Sequence, residues 1–93
     1  MARRHFKSVW DAIEPSPEEA ANMRLRAELM HRIRDRIAAR KTTQAVAARG
    51  LGITQPRLND LLRGRIDKFS LDALVEMAGR AGLSVRLNID VAA

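Results

Sequence analysis

Between Thr43 and Gly64 lie two short helical segments separated by Gly50-Leu51-Gly52, and this arrangement limits the fold more than any other feature of the chain. Thr43 can cap the first segment, Gln44 to Arg49, because its hydroxyl oxygen can accept from a helix-start N–H that has no partner of its own. Glycine adopts positive φ at little cost, so Gly52 can reverse the chain there. Thr54 can cap the second segment, Gln55 to Arg63. Pro56 sits early enough in it to cost no internal hydrogen bond, and Gly64 closes it. Two such helices cross closely only where a side chain is small, and Ala47 or Ala48 meets that need. Val46, Leu51, Ile53, Leu58, Leu61 and Leu62 are placed to pin both helices to a core. That leaves Gln55, Arg57 and Asn59 polar at the start of the second helix.

Few other folds ask for all of these at once. The pattern predicts a helix-turn-helix over residues 43–64, whose second helix can present polar side chains to a DNA major groove. The flanking chain supplies the support. Ser16-Pro17-Glu18-Glu19 reads as a helix start, with Ser16 as cap and Glu19 completing a capping box. Leu25, Leu29, Met30, Ile33 and Ile37 then recur at three- and four-residue steps, and the arginines at 24, 26, 32, 34 and 36 mostly fall off that stripe as a solvated face. After a loop, Arg65 to Phe69, Ser70 caps a further helix, Leu71 to Ala81, which Gly82 ends. The period then changes. Leu83, Val85, Leu87, Ile89 and Val91 alternate with polar residues, which predicts a half-buried strand.

The expected organisation is an N-terminal arm over 1–15, a helical domain over 16–82 and a terminal strand over 83–93. In the arm, Ser8 can cap one helical turn carrying Val9, Trp10 and Ile13, and an extended conformation fits nearly as well. With 93 residues, 46% of them apolar, the chain suits one domain with a modest core. Its net charge of +6 attracts polyanions and also favours solubility. The excess is uneven: residues 1–49 carry +5 and residues 50–93 carry +1.

Cysteine is absent, which removes disulfides, thiolate metal sites and cysteine nucleophiles. His5 and His31 are isolated and without metal-ligand spacing, so no metal or cofactor is expected. No phosphate-cradling glycine loop or nucleophile–histidine pairing is recognisable, and an enzyme is not expected. Neither a signal-peptide core nor a membrane-length apolar run occurs, so a cytoplasmic location is expected.

The run Thr42-Thr43-Gln44-Ala45-Val46-Ala47-Ala48-Arg49-Gly50-Leu51-Gly52-Ile53-Thr54-Gln55-Pro56-Arg57-Leu58-Asn59-Asp60-Leu61-Leu62-Arg63-Gly64 resembles the Cro/C1-repressor (XRE) family. The wider span, Pro17 to Val91, is similar to its HigA-like antitoxin branch. The similarity rests on Leu51 to Pro56 at the turn, Phe69-Ser70-Leu71 before the leucine helix, and the apolar strand Leu83 to Val91. The resemblance implies a mainly α, lambda-repressor-like bundle of four to five helices that binds double-stranded DNA as a dimer.

It also implies roles. Gln44 matches a phosphate-anchoring glutamine, aided by the positive end of its helix. Gln55 matches the first base-reading position, where an amide can pair with adenine N6 and N7. Pro56 departs from the polar residue common there and offers apolar contact only. Arg57 can reach guanine or a phosphate, and Asn59 lies further along the same helix. Asp60 would be repelled by phosphate unless it accepts from cytosine. Arg40 and Lys41 precede the supporting helix as candidate backbone contacts. Arg63, Arg65 and Lys68 can line the same backbone or serve as ordinary loop charges. Thr43 and Thr54 stand at both helix starts as further candidate DNA-backbone contacts, although capping alone also accounts for them.

A lone strand cannot satisfy its own backbone groups. Leu83, Val85, Leu87, Ile89 and Val91 therefore need a partner strand, either from a second copy or from the arm around Phe6 to Trp10. The second copy is the preferred solution, since a two-fold dimer suits a palindromic operator. In the HigA-like branch the same protein neutralises a small ribonuclease toxin, so the resemblance implies such a partner, with Phe6 and Trp10 as candidate contacts unless they fold back onto the first helix, the preferred arrangement. Two functional classes follow: a sequence-specific regulator acting as the antitoxin of such a pair, or a protein-interaction adaptor with little DNA-binding role.

Overall fold

A computed structural model describes residues 16–92. The arm, with Ser8, Val9, Trp10, Ile13 and the Phe6–Trp10 segment, lies outside the described residues. Four helices follow in order: α1 (Pro17–Arg40), α2 (Gln44–Leu51), α3 (Gln55–Leu62) and α4 (Leu71–Arg80), with a 3-10 turn at Ile66–Lys68 between the last two. None of them is long and apolar enough to cross a membrane.

Each of these four α-helices starts at a hydroxyl cap. Ser16, Thr43, Thr54 and Ser70 accept from the backbone N–H of Glu19, Val46, Arg57 and Ala73 at 3.1 to 3.3 Å. The ends differ. Gly52 leaves α2 at φ 72°, a backbone conformation that favours glycine, and a Cβ there would lie 2.7 Å from Arg80 Nη1, the end of a flexible side chain that would have to shift. Lys41 ends α1 at φ 51°, a left-handed conformation that a side chain adopts at a cost.

α1 packs along α4, α2 lies on α3, and the core fills the space between these pairs. Met30 and Ile33 of α1 are buried, with Leu29 and Ile37 packed beside them. Leu25, expected on the same stripe, is instead 48% exposed, because it lies at the edge of a groove beside α4 rather than over the core. Ala48 is the small residue beneath the crossing, and Ala47 is half-buried next to it. Val46 does not pin α2 to the core. Each helical residue turns by about 100°, so Val46 points nearly opposite Ala48 and is 50% exposed. Leu58 and Leu61 of α3 and Leu74 of α4 are fully buried, and the largest buried side chain among the described residues is Phe69, just before α4.

The terminal strand does not form within the described chain. Only Leu83 joins the core, and its N–H donates to the Ala78 carbonyl at 2.9 Å as the last bond of α4. Val85, Leu87, Ile89 and Val91 are exposed, and residues 84–92 make no backbone hydrogen bond to any described residue. Alternation supplies a face for a strand, and a strand also requires a neighbouring backbone.

Candidate nucleic-acid interface

With Leu58 and Leu61 turned inward, the helical rotation of α3 places Pro56, Asn59 and Arg63 on its outer side. Gln55 and Arg57 flank that row on either side. Gln55, Pro56, Asn59 and Arg63 are exposed, whereas Arg57 is half-buried. The helix is held firmly beneath this face, since its two buried leucines are fully enclosed. At the start of α2, Thr43 and Gln44 are both exposed. The Thr43 and Thr54 hydroxyls are engaged in capping, which orients both helix starts.

The cations divide into free and occupied groups. Arg57 lays its guanidinium over the Phe69 ring, 4.4 Å from the centroid, while its Nη1 donates to the Lys68 carbonyl at 3.3 Å. That contact ties α3 to the loop that follows it. Arg40 donates from Nη2 to the Ala81 carbonyl at 3.1 Å, and Arg36 donates to the same oxygen from Nε at 3.0 Å. Together they bond a carbonyl at the end of α4, where the helix dipole favours positive charge. Arg65 lies 3.5 Å from the Asp60 carboxylate, which offsets a negative charge close to the outer row of α3. The side chains of Lys41, Arg63 and Lys68 are exposed and make no hydrogen bond or ion pair to a described residue.

Two residues that position this face have no place among the sequence-predicted site residues. Phe69 carries Arg57 on its ring and is 1% exposed. It occupies the position before the Ser70 cap and sits with Leu74 in the core, the spacing of a hydrophobic staple, so its burial had a local signal. Arg26 donates from Nη1 to the carbonyls of Ile66 and Phe69 at 2.9 and 3.3 Å and from Nε to Asn22 Oδ1 at 2.6 Å. It therefore fastens α1 to the loop that holds Arg57. No local pattern separates Arg26 from its solvated neighbours.

An exposed row of amide and guanidinium groups on a rigid helix can donate to and accept from base edges, and capped helix starts with nearby cations can engage phosphates. No curated protein matches the chain. A family match covers residues 12–90, which includes every helix described above, and the protein thus belongs to the helix-turn-helix domain family.

Proposed function

We propose that the protein is a sequence-specific DNA-binding regulator, the antitoxin of a HigBA-like pair that represses its own operon as a homodimer. The observation that carries the DNA-binding reading is the outward row Pro56, Asn59 and Arg63, flanked by exposed Gln55, on a helix whose opposite face is fully enclosed. In this reading Gln55 and Asn59 read base edges, Pro56 packs against a thymine methyl, and Gln44, Lys41, Arg63 and Lys68 hold the phosphate backbone. Arg40, Arg57 and Arg65 act chiefly by fixing the helices, because their head groups are engaged within the chain. Thr43 and Thr54 act as caps.

The antitoxin limb is supported by the resemblance of Leu51–Pro56, Phe69-Ser70-Leu71 and Leu83–Val91 to the HigA-like branch. It places operator DNA and a small ribonuclease toxin together in the cytoplasm and needs no cofactor and no catalytic group of its own. The exposed apolar residues of the tail favour the second reading, an adaptor whose main ligand is a protein.

A footprint of the purified protein on the DNA upstream of its own reading frame tests the proposal. Protection of a palindrome is expected, with half-sites about one helical turn, roughly 34 Å, apart. If about six phosphates are neutralised, log affinity should fall with log salt at a slope of about −5. Gln55→Ala with Asn59→Ala should abolish the footprint while leaving toxin binding unchanged. A flat salt response with no footprint would leave the adaptor reading in place, and a footprint that survives both substitutions would overturn the base-reading roles of Gln55 and Asn59.

A further inference from the structure

An apolar groove of about 420 Å³ runs between α1, α4 and the tail, edged by Leu25, Leu29, Val75, Val85 and Leu87. Leu25 and Val75 are 48% and 40% exposed, and further along the tail Ile89 and Val91 are 80% and 98% exposed. The same tail leaves the backbone of residues 84–92 unbonded to any described residue. We infer that this face takes the tail of a second copy, paired antiparallel about a two-fold axis at Asn88, with Arg86 opposite Asp90 in both halves. The inference rests on the homodimer reading above and adds its register.

Directly opposite residues of an antiparallel pair share a face, so Leu87 and Ile89 both meet apolar partners only in registers centred on a residue. Charge selects among these. Centring on Arg86 sets arginine against arginine, and centring on Asp90 sets aspartate against aspartate. An axis at Leu87 places Arg86 against Asn88 and Asp90 against Ser84, while an axis at Ile89 places Arg86 against Ala92. Only Asn88 gives two opposite-charge pairs. It also sets Leu87 against Ile89 and Val85 against Val91, and it pairs the two Asn88 amides, each of which can both donate and accept. Since Val85 and Leu87 edge the groove, the partner's Val91 and the partner's Ile89 fall beside it and cover it.

The natural chain has no cysteine, so single cysteines at 87, 88 and 89 in the full protein report the axis. Residues facing each other across the axis have Cα atoms about 4.5–5.5 Å apart, within disulfide reach, while neighbours two places out of register exceed about 7 Å. Asn88→Cys should therefore cross-link under mild oxidation roughly tenfold faster than Leu87→Cys or Ile89→Cys. Arg86→Asp should weaken the dimer by about tenfold or more, and Arg86→Asp with Asp90→Arg should return it to within about threefold of the natural chain. Circular dichroism checks that each variant stays folded. Faster cross-linking at 87 or 89, or no recovery in the double reversal, overturns the register while the dimer stands. A natural chain that sediments as a monomer at all concentrations overturns the dimer reading and the register with it.

Discussion

Arg26 offers a direct test of how the scaffold holds its outer helix. Arg26→Met keeps the aliphatic stem and removes the donors to the carbonyls of Ile66 and Phe69. The Ile66 oxygen retains one bond, from the Phe69 N–H at 3.2 Å, whereas the Phe69 oxygen has no other donor among the described residues. A hydrogen bond from a charged donor contributes about 1.5–3 kcal/mol when desolvated. Here the side chain is half-exposed and one bond is long, so the two together are worth about 2 kcal/mol. In a domain of this size that lowers Tm by about 10 °C. Thermal denaturation followed by circular dichroism at neutral pH measures it. Hydrogen exchange should also accelerate at residues 65–69, because the loop loses its tether to α1. A Tm within about 3 °C of the natural protein, with unchanged exchange in the loop, would refute the claim that this arginine fastens the two elements.

Phe69→Ala removes a fully buried aromatic side chain and should cost about 3–5 kcal/mol, read as a fall in the urea midpoint. Lys41→Gly relieves a left-handed residue and should stabilise the fold by about 0.5–1 kcal/mol. The same substitution should weaken DNA binding if the ammonium contacts phosphate, so calorimetry and gel shift are expected to move in opposite directions. Arg57→Ala loses the stack on Phe69 and one weak hydrogen bond, a destabilisation of about 1 kcal/mol. Its affinity loss should be uniform across operator variants, and a loss confined to one base pair in a competition assay would show that the guanidinium leaves Phe69 to read DNA.

The helices and their starts were legible in the sequence because their signals are local, whereas the end of α1 at the left-handed Lys41 carried no glycine to mark it. A hydroxyl cap and a glycine exit act within one turn, and all four caps and the Gly52 reversal stand where the residue pattern places them. The outward placement of Gln55 and Asn59 was legible for the same reason, since helical rotation follows once Leu58 and Leu61 face inward. The destinations of the arginines were not. Arg26 and Arg36 read as surface charges, and only folding brings the Phe69 and Ala81 carbonyls, more than forty residues away, within their reach. Arg57 could be read as a groove contact, but tertiary packing supplies the ring beneath its guanidinium. Val46 and the tail mark the same boundary: an apolar side chain states what it would bury, and its surroundings decide whether anything covers it. Short-range hydrogen bonding is written along the chain, whereas a charged head group takes whichever acceptor the finished fold delivers.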